Sequence, residues 1–193
     1  MIGGLLYLFA FALEYRLPAG VFGGVVLAAW LALTGLLHFD GLLDAADALL
    51  PPVDRERRIV ILRDTSVGSF ALGVGVVHLL LKAELLSALG ASVALLAAPV
   101  AARAFLLLAV RLPAARSVGL AAGFRGKGAW WGWPPLILVA ILFPPATLLA
   151  ALGASAVYAL AMVRLGGVNG DVHGAAIEVA ELSFLFGAVL FGV

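Results

Sequence analysis

Long apolar runs separated by short polar connectors cover most of the chain. An α-helix needs roughly 20 consecutive apolar residues to cross the hydrocarbon core of a bilayer. The run 2–13 is short for that purpose, whereas 19–37 is long enough, and a break near Lys82 and Glu84 separates two later runs. The pattern predicts an all-α fold, a polytopic transmembrane bundle of about six to seven spans. The predicted spans lie in 2–13, 19–37, 67–81, 85–110, a run that opens at Trp130, Trp131 and Trp133, 146–163 and 174–193.

The composition supports a membrane protein. Of the 193 residues, 64% are hydrophobic and 12% are charged, whereas a soluble domain usually has about 45–50% apolar and about 25% charged residues. We therefore expect a single integral membrane domain over residues 1–193, with the lipid bilayer as its surroundings. Cysteine is absent, which excludes disulfides and thiolate metal sites. We expect no nucleic-acid partner, and a homo-oligomer is left open.

The distribution of positive charge predicts the orientation. If the runs alternate across the bilayer, one side holds only Arg16 and Lys82, and the other side holds most of the basic residues. By the positive-inside rule the crowded side is cytoplasmic, so we expect the cell inner membrane with the polar connectors facing the cytoplasm. The basic residues on that side are Arg55, Arg57, Arg58, Arg63, Arg111, Arg116, Arg125, Lys127 and Arg164.

The acidic stretch 38–50, which continues from the run 19–37, carries the strongest chemical signal. Asp40, Asp44 and Asp47 are spaced i, i+4, i+7, so they fall within an arc of roughly 60° on one helix face. Three such carboxylates repel one another, and a hard divalent cation such as Mg²⁺ would relieve that repulsion. The alternative is an amphipathic helix whose acids face water. His38 lies roughly 160° from Asp40 on the wheel, which favours a helix-start or substrate contact.

Two other polar features precede or interrupt apolar runs. Arg63 and Asp64 open a connector rich in hydroxyls and glycine, which predicts either a phosphate contact or a polar cap on the next helix. Arg103 lies inside an apolar run, where an unpaired cation is costly. We expect it to meet a carboxylate or a substrate phosphate. His78 and Lys82 are interpreted as interface residues.

The last connector and span contain a second acidic stripe. Asn169 and Asp171 can ligate a cation, or Asp171 can act as a simple N-cap. Glu178 lies about 20° from Asp171 on the helical wheel, which makes it a further candidate contact. His173 is a candidate proton carrier, although a histidine in a connector is more often simply solvated.

These residues together resemble the cobalamin synthase family, also called adenosylcobinamide-GDP ribazoletransferase. The matching segments run through nearly the whole chain in order: 35–47, 63–71, Arg103 in its alanine-rich run, and 166–176 with Glu178 and Glu181. The resemblance implies a Mg²⁺-dependent membrane transferase of cobalamin biosynthesis. Its substrates would be adenosylcobinamide-GDP and α-ribazole or its 5′-phosphate, and GMP would be released.

Under this hypothesis the residues take the following roles. Mg²⁺ is held by Asp40, Asp44 and Asp47, with Asp171 as a further ligand. Arg63 or Arg103 stabilises the transferring phosphoryl group. The proton acceptor is open among Asp47, Asp171 and His173. His38, Arg63, Asp64, Arg103, Asn169 and Glu178 contact substrate.

Two rival functions use similar residues. A CDP-alcohol phosphotransferase also carries an aspartate cluster, but its signature has an Ala-Arg pair after the first Asp-Gly, which is not present here. A cation transporter would place its acids near the bilayer midplane. Phosphoryl transfer instead predicts acids at the cytoplasmic mouth beside arginine, so we favour the enzyme.

Overall fold

A computed structural model describes residues 1–64, 66–109, 111–115 and 133–192. This part of the chain forms nine α-helices and, apart from one isolated bridge between Ala114 and Val168, no β-structure. Some residues used in the sequence analysis lie outside the described residues: the basic residues Arg116, Arg125 and Lys127, and the tryptophans Trp130 and Trp131. The helices are α1 (Ile2–Leu13), α2 (Ala19–Thr34), α3 (Leu37–Leu49), α4 (Arg55–Ile61), α5 (Ser69–Leu89), α6 (Ala94–Ala109), α7 (Trp133–Leu142), α8 (Pro144–Leu165) and α9 (Gly170–Phe191).

The helices confirm an all-α, multi-pass membrane bundle. In the described ranges, α5, α8 and α9 are long and apolar enough to cross a bilayer, and α2 with α3 forms a fourth candidate as a bent pair. The apolar helices α1, α6 and α7 are shorter, with 12, 16 and 10 residues. The count of six to seven spans therefore stays a prediction.

Two predicted boundaries are wrong. Helix α5 runs unbroken through Lys82 and Glu84 to Leu89, and its C-cap is Gly90, which has a positive φ of 60°. Lys82 does not end the span because its side chain is buried within the bundle. In addition, the run 19–37 does not continue straight into the acidic helix, since α2 and α3 meet at an angle of 92°.

The bend between α2 and α3 is built by two residues in the left-handed region. Gly35 and Leu36 have φ values of 60° and 59°, respectively. Glycine adopts this conformation at no steric cost, whereas leucine does so only where its surroundings hold it there. The bend turns the acidic helix away from the direction of α2 and lays it against α9.

Helix α9 is the centre of the bundle. It packs against α3, α5, α6 and α8, and most of its side chains are buried. Small residues allow close approach: a Cβ added at Gly187 would lie 2.7 Å from the Cα of Ala146 on α8. Small-residue contacts of this kind are typical of helix pairs in membranes, where packing rather than hydrophobic burial drives association.

Candidate active site: an acid-lined cleft at the α3–α9 crossing

The cleft lies between the acidic face of α3 and the connector that leads into α5. It encloses about 190 Å³. Asp40 is exposed, and Asp44 and Asp47 are half-buried. The structure thus brings the three predicted acids of α3 together with Arg63 and Asp64. The residues around the cleft are Asp40, Leu43, Asp44, Asp47, Leu62, Arg63, Asp64, Val67 and Ala71.

A glycine-to-glycine contact brings α9 to the same place. A Cβ added at Gly41 would lie 3.0 Å from the carbonyl oxygen of Asp171 and 3.2 Å from the Cα of Gly174. The backbones of α3 and α9 therefore touch at this crossing. Asp44 is consequently coupled by charge repulsion to Asp171, and to its own helix neighbours Asp40 and Asp47.

The start of α9 leaves the Asp171 carboxylate available to the site. The N-cap is Asn169, whose Oδ1 accepts a hydrogen bond from the backbone N–H of Val172 at 3.0 Å. The alternative that Asp171 is a simple N-cap is therefore wrong. The Nδ2 of Asn169 donates to Oδ2 of Asp171 at 2.7 Å, which fixes the orientation of that carboxylate. Asn169 thus contributes to the site by orienting Asp171.

Asp47 has a different environment from the other acids. Its Oδ2 accepts from the backbone N–H of Gly68 at 2.6 Å, and its Oδ1 accepts from that of Ala71 at 2.9 Å. These N–H groups belong to the start of α5 and have no acceptor within their own helix. Both oxygens of Asp47 are therefore engaged across the cleft.

The opposite wall of the cleft is open to solvent. Arg63 and Asp64 are both exposed. Oδ1 of Asp64 accepts from the Ser66 hydroxyl at 2.6 Å and from the Ser66 backbone N–H at 3.0 Å. These two hydrogen bonds hold the pKa of Asp64 below its ordinary value, so this carboxylate is ionised at neutral pH.

The donor set of the cleft fits a hard divalent cation. Asp40 and Asp44 on the cleft, and Asp171 at the adjoining helix crossing, offer carboxylate oxygens. Among the described residues, none of the three forms an ion pair with a basic side chain. Within the same residues, no three His, Asp or Glu side chains are close enough to enclose a metal by themselves. The three acids of α3 are therefore not a closed site. Mg²⁺ commonly takes one or two carboxylates, several waters and substrate phosphates, which agrees with this spacing.

A buried ionic cluster lies between α5 and α9, and none of its residues lines the cleft. Lys82 on α5 donates to Oε2 of Glu178 and to Oε2 of Glu181, both at 2.8 Å, and its Nζ lies 4.4 Å from the centre of the Trp30 ring. Nε2 of His78 lies 2.9 Å from Oε2 of Glu178. The interpretation of His78 and Lys82 as interface residues is wrong, since they are 4% and 0% exposed.

Arg103 joins this cluster rather than the cleft. Its Nη1 donates to Oε1 of Glu181 at 2.8 Å and to the carbonyl of Pro99 at 3.0 Å. The expectation that Arg103 meets a carboxylate is confirmed. A substrate contact by Glu178 is not supported, because Glu178 is 0% exposed and about 10.5 Å along α9 from Asp171. His38 experiences the charges of Arg103, Glu181, Glu178 and Lys82, so it lies toward the cluster.

His173 points away from the cleft. It follows Asp171 by two residues, which places it about 200° around α9. It is buried, and its Nδ1 lies 3.1 Å from the hydroxyl of Tyr158 on α8. The structure therefore does not bring the predicted proton carrier together with Asp40, Asp44 and Asp171.

Two arginines that the sequence analysis treated only as positive charges anchor the site. Arg58 is 2% exposed and donates to the carbonyls of Ala48, Leu49, Pro51 and Val53 at 2.6–2.9 Å. It thereby caps the C-terminal end of α3, where carbonyls lack helical partners. Arg55 donates to the carbonyl of Leu165 at 2.8 Å, which ties α4 to the end of α8.

Fold and site together define a helical membrane protein with a carboxylate-lined cleft that an exposed arginine faces. Comparison with known proteins gives the family: the model of cobalamin-5-phosphate synthase matches residues 1–189, and the chain belongs to that family. No solved structure matches the chain.

Named relatives from three bacteria support the same assignment. The chain is 44% identical over 191 residues to the adenosylcobinamide-GDP ribazoletransferase of Deinococcus radiodurans, covering 96% of this chain and 68% of the relative. It is 35% identical to the protein of the same name from Desulfitobacterium hafniense, covering 97% and 81%. The corresponding protein of Stutzerimonas stutzeri is 38% identical, with 98% and 82% covered.

Proposed function

We propose that this protein is a Mg²⁺-dependent adenosylcobinamide-GDP ribazoletransferase. It joins adenosylcobinamide-GDP to α-ribazole or its 5′-phosphate and releases GMP. The observation that carries the proposal is an open cleft lined by Asp40, Asp44 and Arg63, with Asp171 at the adjoining crossing of α3 and α9. The names of the relatives supply the substrates.

The reaction would be a phosphoryl transfer in line. The 3′-hydroxyl oxygen of α-ribazole forms a bond to the phosphorus that carries cobinamide. The bond from this phosphorus to the bridging oxygen breaks, and GMP leaves with that oxygen and both bond electrons. Catalysis of this kind depends mainly on positioning and on stabilising negative charge. Arg63, which is exposed on the facing wall of the cleft, would contact the phosphate oxygens.

Asp171 is the best-placed proton acceptor among the three candidates. Asp47 has both oxygens on backbone N–H groups, and His173 is buried against Tyr158. Asp171 is half-buried, and among the described residues only its Oδ2 accepts a hydrogen bond, from Asn169. Its Oδ1 is thus left to accept the proton of the attacking hydroxyl.

Mg²⁺ would be held by Asp40 and Asp44 together with the diphosphate, with Asp171 beside them as the proton acceptor. When bound, it would neutralise charge on the diphosphate and orient the phosphorus for attack. These acids would hold the ion only in part, because the structure does not group three of them tightly enough alone. The proposal therefore predicts cooperative binding of cation and diphosphate.

The cleft would face the cytoplasm in the inner membrane. It lies beside α4 and its flanking connectors, which carry Arg55, Arg57, Arg58 and Arg63. Excess arginine marks the cytoplasmic side of membrane proteins.

The two rival functions are disfavoured by specific observations. Family membership goes against a CDP-alcohol phosphotransferase. A cation path would need free acids in the membrane interior, but Glu178 and Glu181 are both paired with Lys82. A direct discrimination is to measure nucleotide release in nanodiscs with adenosylcobinamide-GDP, with and without α-ribazole, and with a CDP-activated lipid. GMP release that requires α-ribazole supports the proposal, whereas CMP release would replace it with the rival chemistry.

A further inference from the structure

The acids of the cleft are not equivalent, and Asp47 differs most. It belongs to the i, i+4, i+7 stripe that predicts a metal site, yet its two oxygens accept the backbone N–H groups of Gly68 and Ala71 at 2.6 and 2.9 Å. These partners lie 21 and 24 residues further along the chain. Asp47 therefore joins the acidic helix to a separate segment of the protein.

The start of α5 depends on this distant carboxylate. Its N-cap residue is Gly68, which has no side chain to accept a hydrogen bond, and no side-chain cap is formed within the helix. The first N–H groups of a helix need an acceptor, and a negative charge at that end is favourable. Asp47 supplies both from α3.

The absence of a side chain at Gly68 allows the carboxylate of Asp47 to approach this closely. A Cβ added at Gly68 would lie 2.6 Å from Oδ1 and 2.7 Å from Oδ2 of Asp47. Real Cβ atoms do not approach oxygen so closely, so any side chain at this position must displace the carboxylate. The φ of Gly68 is −88°, which any residue can adopt. The glycine is therefore required by close approach rather than by backbone conformation.

The connector before Gly68 contains the other wall of the cleft. Arg63 and Asp64 lie on the same cavity as Asp40 and Asp44. The hydrogen bond between Asp47 and the backbone N–H of Gly68 thus fixes the distance between the two walls of the cleft. One wall carries Arg63, and the other carries the carboxylates of Asp40 and Asp44.

We propose that Asp47 is a positioning residue rather than a ligand of the cation. From α3 it caps the start of α5 and thereby holds the connector that carries Arg63 over the cleft. This role in catalysis rests on the proposed function, but the mechanical link does not. Asp44, in contrast, stays among the residues that would hold the cation.

Hydrogen–deuterium exchange of the full chain in nanodiscs tests the link without any substrate. We expect the Gly68→Ala and Asp47→Ala variants to increase amide exchange in the segment 66–72 by about tenfold or more, since hydrogen bonds to charged acceptors are among the stronger ones. Gly73→Ala is the matched control on the same helix, because a Cβ there meets no atom within 4 Å. It should leave the exchange unchanged. Unchanged exchange in both Gly68→Ala and Asp47→Ala would overturn the proposal.

The Asp47→Asn variant separates a cap from a ligand. An asparagine oxygen can still accept one of the two backbone N–H groups, but its amide nitrogen cannot accept the other. We therefore expect Asp47→Asn to restore part of the exchange protection lost in Asp47→Ala. Binding of Mn²⁺ in the presence of GDP, followed by electron paramagnetic resonance, should weaken by less than threefold in Asp47→Asn and by more than about tenfold in Asp44→Asn. Equal loss of Mn²⁺ binding in the two variants would overturn the proposal.

Turnover adds a third measurement. If Asp47 positions Arg63, Asp47→Asn should keep a higher kcat than Asp47→Ala, because the asparagine retains one of the two hydrogen bonds of the cap. Loss in Asp47→Asn as deep as in Asp47→Ala, with normal exchange, would contradict a positioning role. If the wild-type protein makes no product, the proposed function fails, and the exchange measurement still decides whether the link exists.

Discussion

Gly41 and Gly174 meet backbone to backbone where the acidic helix crosses the central helix. A Cβ on Gly174 would lie 3.1 Å from the carbonyl oxygen of His38 and 3.3 Å from the Cα of Gly41. This contact sets the separation between the acids of α3 and Asp171. The spacing of the acids at the cleft thus depends on two residues that carry no functional group.

Widening this crossing should inactivate the protein. Gly174→Leu places a large side chain between α3 and α9, and overpacking of a close contact usually costs about 1–3 kcal/mol or more. We expect transferase activity to fall by at least about a hundredfold, because the acids separate by more than the distance that positional catalysis tolerates. Gly170→Ala on the same helix is the control, since a Cβ there meets nothing within 4 Å. Wild-type activity in Gly174→Leu would show that the crossing does not set the site.

Asp44 is expected to be needed for chemistry and not for folding. Asp44→Asn keeps the size of the side chain but removes the charge that would hold the cation. We expect kcat to fall about a hundredfold or more, with an unchanged melting temperature in detergent. Glu56→Gln removes an exposed acid outside the cleft and should have no effect on turnover. A melting temperature that drops together with the activity would instead assign Asp44 a structural role.

The buried ionic cluster should be a determinant of stability. Lys82→Met leaves Glu178 and Glu181 buried without their shared partner, and breaking a buried ion pair typically costs about 3–5 kcal/mol. Thermal unfolding of the purified protein measures this loss. The double variant Lys82→Met/Glu178→Gln should recover part of it, because one of the stranded charges is removed as well. A double variant that is less stable by the sum of the two single losses would mean that the two residues do not interact.

Arg58 should stabilise the acidic helix from its C-terminal end. Its guanidinium donates to four backbone carbonyls, so Arg58→Ala leaves these acceptors unpaired. We expect a loss of about 2–4 kcal/mol in unfolding free energy, with faster amide exchange at the end of α3. Arg57→Ala removes an exposed arginine on the same helix and should have little effect. Equal stability of the two variants would show that Arg58 does not stabilise the end of α3.

The acidic stripe was readable from the sequence because it depends on spacing within one helix. The family pattern was readable because it depends on the order of short segments along the chain. The i, i+4, i+7 spacing places Asp40, Asp44 and Asp47 on one face, and the structure puts all three on the cleft. The sequence could not distinguish Asp47 from the other two. Its partners on α5 become neighbours only when the helices pack.

The charges inside the bundle were harder to interpret because their partners lie on other helices. Lys82 resembles an interface residue when its own helix is considered alone. Glu178 and Glu181 require a counter-charge once they are buried. This requirement was the signal that could have identified Lys82 as their buried partner. For the same reason, the expectation that Arg103 meets a carboxylate is confirmed, because a cation in an apolar run needs a partner.

The most direct test of the account is product formation by the purified protein in nanodiscs, supplied with adenosylcobinamide-GDP and α-ribazole. The cobalamin product and GMP are separated by chromatography, with Mg²⁺ present or removed by chelation, and with Asp44→Asn measured in parallel. The account predicts that both products appear in equal amounts with Mg²⁺ and that both disappear on chelation and in Asp44→Asn. The account is contradicted if folded wild-type protein forms neither product with Mg²⁺. It is also contradicted if both products form equally well after chelation and in Asp44→Asn.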